Sequence, residues 1–181
     1  YRMLFGHPPH ALKPGMNVLI WGASGELGAQ DIYNNQIRFC KSDKLKKKLM
    51  KISSEEKVHF DFFNEEILKR RVRPTIMSPV WKLAGVAIGA VTTRLGSDYV
   101  NACTEAVEEV IVKHYKEQIE YLEKNKIDRN LKSKIVEFCK DEEKHKVNAH
   151  LSLEKERIGV KVFKRLTKEF TRVAIEISKK L

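Results

Sequence analysis

An all-α helical bundle is the fold this sequence predicts, and three observations predict it. From about Glu26 to Leu181 apolar residues recur every three to four positions, the period of an amphipathic helix. Helix breakers are scarce: of five prolines, three precede residue 15 and the other two, Pro74 and Pro79, mark a single corner. Lys, Glu, Leu, Ile and Val dominate the same stretch, and straight-chain residues lose little side-chain freedom in a helix. A chain of 181 residues suits one domain with a sizeable core.

The helices follow in order from their stop signals. The first is expected over Glu26–Cys40, closed by a turn at Ser42-Asp43. The second runs from about Lys44 to Arg71, because the residue before Pro74 disfavours helix. Pro79 opens the third, and Gly96 ends it. Ser97 or Asp98 caps the fourth, which ends near Lys124; Asp128 caps the fifth, which reaches about Leu151. The sixth fills roughly Glu156 to Lys180. Residues 1–25 read as a separate segment, with Pro8-Pro9, Pro14-Gly15, a β-like run Val18–Trp21 and the turn-like Gly22-Ala23-Ser24-Gly25. The bundle domain is therefore expected over 26–181. Removal of Tyr1–Trp21 is expected to leave metal binding and most stability intact.

Composition narrows the function. Cys40, Cys103 and Cys139 are widely spaced, odd in number and without a C-x-x-C pair, which argues against a disulfide framework and a thiolate zinc site. The net charge of +11 invites a nucleic-acid reading, but the Lys44–Lys48 cluster has no interleaved aromatics and no reading motif. No signal peptide or membrane span is expected; Val80–Leu95, the most apolar run, carries Lys82 and Arg94 and is short for a crossing. It suits a buried helix or one lying in a membrane interface.

Two E-x-x-H pairs carry the chemistry: Glu56 with His59, and Glu142 with His145. Residues three apart share a helix face, so each pair can offer a carboxylate and an imidazole to one ion. Two such pairs alone are weak evidence. Two further glutamates strengthen it. In a hairpin turning near Ser42, Glu26 and Glu56 both lie ~21–24 Å from the turn, at ~1.5 Å per residue. Glu108 and Glu142 match in height about a turn near Lys126. Four carboxylates and two imidazoles can thus converge at mid-bundle, the ligand set of a ferritin-like dinuclear site. Oxygen and nitrogen donors without thiolate suit iron or manganese. Each residue also has a plainer reading. Glu56 could complete a capping box with Ser53, Glu108 and Glu142 could be solvated beside Glu109 and Glu143, and His59 could pack beside Phe60 and Phe63.

The run RVRPTIMSPVWKLAGVAIGAVTTRLG (Arg71–Gly96) resembles the signature of the demethoxyubiquinone hydroxylase family. ACTEAVEEVIVKHYKEQI (Ala102–Ile119), DEEKH (Asp141–His145), ELGAQDIYNNQ (Glu26–Gln36) and the terminal RVAIEISKKL (Arg172–Leu181) are similar to further motifs of that family, in order. The resemblance spans about residues 25–181. It implies a ferritin-like bundle with additional apolar helices, and a di-iron monooxygenase of ubiquinone biosynthesis. It further implies O2 and NADH as co-substrates and a demethoxy-quinone with a polyprenyl tail as substrate. The implied metal ligands are Glu26, Glu56, His59, Glu108, Glu142 and His145, and His114 and Tyr115 match a His-Tyr pair near metal and quinone. A peripheral membrane position follows, on the cytoplasmic face of a bacterial inner membrane or the matrix face of the mitochondrial one, with a possible accessory lipid-binding protein. No nucleic-acid partner is expected.

The first ligand departs from the family pattern, following Gly22-Ala23-Ser24-Gly25 instead of Asp-His-Ala-Gly. Residues 1–25 are similar instead to a coenzyme-binding segment of medium-chain reductases of the crotonyl-CoA type. A nucleotide site there would need a second strand with an acidic residue, and the basic KSDKLKKKLMK follows in its place. Two other functions share parts of the pattern: a ferritin-like iron-storage protein, and a metal-free basic helical interaction module.

Overall fold

The computed structural model describes residues 16–71 and 78–178. They form six helices: α1 (Met16–Phe39), α2 (Asp43–Arg70), α3 (Ser78–Leu95), α4 (Ser97–Lys124), α5 (Arg129–Leu151) and α6 (Ile158–Ser178). The order and nearly all boundaries agree with the stop signals in the sequence. Ser42 accepts from the Leu45 N–H as N-cap of α2, and Asp128 accepts from the Leu131 N–H as N-cap of α5. The corner around Pro74 and the last residues after Ser178 lie outside the described residues, as do Tyr1–Gly15.

One element differs. The expected β-like run Val18–Trp21 and the glycine turn after it are helical, so α1 starts ten residues earlier than Glu26. The cause is tertiary: Val18 and Leu19 are fully buried in the core. A Cβ at Gly22 would come within 2.4 Å of the Phe63 ring, so the glycine lets α1 close onto α2. Packing outweighs the poor helix propensity of these residues. Truncation to Trp21 would therefore remove the core side chains Val18 and Leu19. The turn needed for a nucleotide-binding segment is absent at residues 22–25, which run inside α1.

Helices α1 and α2 form one antiparallel hairpin, α4 and α5 the other, and α3 lies on α1 while α6 lies on α4. This is the ferritin-like arrangement with two extra helices. Both ends are tied. At one, Arg70 ends α2 and pairs with Asp128 at 2.6 Å, just before α5. At the other, the Lys48 ammonium donates to Asn101 Oδ1, Ser152 Oγ and the Asn148 carbonyl, joining α2, α4 and α5. Close approach of α3 to α1 requires glycine: Cβ atoms at Gly85 and Gly89 would stand 2.8 Å and 2.6 Å from Asp31 and Asn35. Buried Thr92 and Gln36 then hydrogen-bond across that contact at 3.0 Å.

Candidate metal centre

All six ligand-type residues meet between the hairpins. α1 contributes Glu26, α2 contributes Glu56 and His59, α4 contributes Glu108, and α5 contributes Glu142 and His145. The four carboxylates have no exposed surface, and the imidazoles are buried beside them. Their donor atoms fall into two groups, each spanning no more than 4.8 Å: Glu26, Glu56, His59 and Glu142, and Glu56, Glu108, Glu142 and His145. Glu56 and Glu142 belong to both. Such an arrangement can hold two cations, with two shared carboxylates between them and one carboxylate and one imidazole to each side.

The imidazoles are turned alike. His59 sets Nδ1 2.8 Å from Glu142 Oε1 and 3.7 Å from Glu26 Oε2. His145 sets Nδ1 3.2 Å from Glu142 Oε2 and 3.3 Å from Glu56 Oε1. Outside the cluster, His145 Nε2 donates to Glu55 at 2.6 Å, and His59 Nε2 faces Asp141 at 3.8 Å. Two buried tyrosines reach the remaining carboxylates: Tyr115 on α4 donates to Glu26 on α1, and Tyr33 on α1 donates to Glu108 on α4. Aromatic rings close one side, with Phe138 against His59 at 4.2 Å and Phe63 stacked on Tyr115 at 6.1 Å.

Burial and mutual contact shift the protonation of these groups in opposite directions. Burial and the neighbouring carboxylates raise Glu26, Glu56 and Glu108 above the ordinary range. Burial would raise Glu142 too, but the hydrogen bond with His145 and the charge of the nearby His59 imidazole hold it well below that range. Burial would lower His145, yet Glu142 and Glu56 outweigh it and push the imidazole up to about 12. Even so, Glu26 Oε2, both oxygens of Glu56, Glu108 Oε2, Glu142 Oε1 and His59 Nδ1 have no aligned hydrogen bond. Buried polar atoms without partners cost ~1–3 kcal/mol each, more when charged. Cations held by these residues would offer such atoms partners, so the donor set fits metal.

His114 and Tyr115, adjacent on α4, diverge as helix geometry demands. Tyr115 enters the cluster. His114 belongs to neither donor group; its Nε2 lies 2.8 Å from Gln118 Nε2, and the ring lines a cavity of about 300 Å³ between α4 and α6. The sequence reading missed Tyr33, Glu55 and Asp141. Two signals could have found them: Tyr33 follows Glu26 by seven residues as Tyr115 follows Glu108, and an acidic residue precedes the glutamate of each E-x-x-H pair.

Fold and site together define a ferritin-like helical bundle with paired carboxylate-histidine donor groups that could hold metal. The family described as Ubiquinone biosynthesis protein COQ7 matches residues 18–178, and the chain belongs to that family. The NADPH-dependent 3-demethoxyubiquinone 3-hydroxylase, mitochondrial, of Dictyostelium discoideum is 36% identical over 159 residues, covering 86% of this chain and 72% of the relative. The Mus musculus protein of the same name is 42% identical over 99 residues, 55% of this chain and 46% of its own. The 3-demethoxyubiquinol 3-hydroxylase of Rhodospirillum rubrum is 36% identical over 124 residues, 68% and 58% respectively. The chain thus spans about half the length of the mouse relative.

Proposed function

We infer that this chain is a hydroxylase of ubiquinone biosynthesis, an O2-dependent di-iron monooxygenase acting on the ring of a demethoxyubiquinol. The observation that carries the reading is the pair of donor groups sharing Glu56 and Glu142, with their buried unsatisfied oxygens. Glu26 and His59 would hold one iron, Glu108 and His145 the other, and Glu56 and Glu142 would bridge. When bound, the metal pair supplies the reduction of dioxygen, one atom of which enters the ring while the other leaves as water.

The chain's own residues do the rest. Tyr115 and Tyr33 fix the orientation of Glu26 and Glu108, and Phe63 and Phe138 keep water from the imidazole side. An apolar crevice lined by Gly25, Ala29, Ile32, Ala84, Val107 and Phe170 separates α1, α3, α4 and α6. At about 20 Å³ it has room for about one water, so a polyprenyl tail must part α3 from α6 to enter. A peripheral membrane position supports that entry: α3 exposes Leu83 and Val86, and α6 exposes Ile158, Val162 and Leu166. No helix among the described residues is long and apolar enough to cross a membrane. The names of the Dictyostelium and mouse relatives carry the word mitochondrial, which favours the mitochondrial alternative over the bacterial one. The reductant is a reduced nicotinamide nucleotide. NADH is the expectation from sequence, whereas those relatives' names specify NADPH.

The test is anaerobic iron loading followed by turnover of a short-tailed demethoxyquinol with NADH and with NADPH. About two iron ions per chain and a hydroxylated product are expected. Iron uptake without hydroxylation would favour the storage reading, and no uptake would favour the metal-free interaction module.

A further inference from the structure

The contacts around the centre are crossed between the hairpins. Glu108 and His145 both come from the α4–α5 hairpin, yet the groups that hold them come from α1–α2: Tyr33 donates to Glu108, and Glu55 accepts from His145 Nε2 at 2.6 Å. The mirror relation holds for Tyr115 and Glu26, whereas Asp141 stands 3.8 Å from His59 Nε2 and gives its other oxygen to Lys144 at 2.7 Å. The register repeats. Glu26 and Glu108 are 82 residues apart, as are Tyr33 and Tyr115; Glu55 and Asp141 are 86 apart, as are His59 and His145.

We propose that Tyr33 and Glu55 are positioning residues for one metal ion only, the ion of Glu108 and His145, held by the hairpin that supplies neither of those ligands. The inference rests on the ligand assignment above. Its chemistry is specific. With Nδ1 turned into the cluster, the His145 ring can be fixed only through Nε2, and a carboxylate accepting that N–H sets both the tautomer and the plane of the ring. Glu55 is half-exposed and is not a ligand; its one short contact within the site is this one. Tyr33 is 1% exposed, and its hydroxyl leaves Glu108 Oε2 the carboxylate oxygen without a partner. Each hairpin is therefore incomplete alone, and the second ion's geometry depends on correct docking of the two.

The test is titration of the full chain with Co(II) under nitrogen, read by metal content and by the visible ligand-field bands. The wild-type chain is expected to bind two ions. Tyr33→Phe and Glu55→Gln should each weaken one of them by roughly 10–100-fold, the usual effect of removing a hydrogen-bond partner behind a ligand, and leave the other unchanged. Backgrounds that isolate one ion decide which it is. In His59→Ala, where the ion of Glu108 and His145 remains, either substitution should remove most of the residual binding. In His145→Ala, where the other ion remains, neither should matter. Circular dichroism establishes that each variant is folded, and where a double variant is not, the single variants decide. Equal weakening of both ions, no weakening, or an effect confined to the His145→Ala background would overturn the proposal. A wild-type chain that takes up no Co(II) would instead sink the ligand assignment itself.

Discussion

The two hairpins and the two flanking helices distribute polarity in opposite ways. The hairpins bury Glu26, Glu56, Glu108 and Glu142 completely and set charged pairs such as Lys57–Asp61 outside. Helices α3 and α6 do the reverse, hiding Thr92, Thr167 and Thr171 while exposing Val80, Leu83, Val91, Val162, Leu166 and Val173. Neither choice suits a chain in water alone. Buried carboxylates call for cations, and exposed aliphatic side chains clustered on a helix call for an apolar phase. Under the proposed function, the hairpins would take up cations and the flanking helices would meet an apolar phase.

The largest effect is expected at Glu142, which belongs to both donor groups. Glu142→Ala is expected to abolish hydroxylation and reduce iron content, as measured by product formation and metal analysis; full turnover with unchanged iron would refute the assignment. Next comes Phe63→Ala. The ring is fully buried against Tyr115, Phe138 and Gly22, and its loss should cost about 3–5 kcal/mol in denaturant unfolding. An effect below 1 kcal/mol would mean the hairpins are held together elsewhere.

Metal removal should give the hairpins an unusual pH dependence. Glu26 and Glu108 sit above 4.5, and His145 rises from 6.5 to about 12. In each case the folded chain keeps a proton that the unfolded chain releases, so rising pH favours unfolding. Stability from His145 is complete below pH 6.5 and declines above it. Glu142, held low, contributes stability already complete above 4.5 and does not oppose the trend. The melting temperature of the chelated chain should therefore fall between pH 6.5 and 9. That of the loaded chain should not, because cations bind the deprotonated ligands. Parallel curves would mean the six groups do not bind metal.

The flanking helices allow a milder test. Leu83→Glu and Leu166→Glu alter exposed residues that do not line the crevice. Each should lower affinity for anionic vesicles by about tenfold, since burying a leucine is worth ~1.5–3 kcal/mol. Iron content should stay the same. Unchanged flotation would show that α3 and α6 serve a protein partner instead. The smallest effect is expected on α2, where Lys57→Ala should change stability by no more than about 0.5 kcal/mol, its pair with Asp61 being exposed.

Much of the fold was legible because its boundaries are marked by residues with local causes: Ser42-Asp43 at a turn, Asp128 as a cap, Gly96 at a corner. The six ligand-type residues were legible because equal heights about two turns constrain antiparallel helices. The start of α1 was not. Val18, Gly22 and Gly25 favour strand and turn locally, and only contact with the rest of the core makes them helical. Tyr33 and Glu55 were missed for a related reason, since their partners sit 75 and 90 residues away on another helix. The opposite directions of His114 and Tyr115 follow from helix geometry, but which one enters the centre depends on how α4 is rotated against α1.

The close seating of α3 on α1 has a consequence for tolerance to change. Gly85 and Gly89 leave no space for even a methyl group, while Leu83 and Val86, one to three positions away, face outward. In a saturation scan, α3 would invert the common pattern in which bulky residues are the hardest to replace. Gly85 and Gly89 would be among its most constrained positions, the exposed Leu83, Val86 and Val91 would accept nearly any substitution in a fold-only screen, and alanine, usually the harmless choice, would be among the worst at residues 85 and 89.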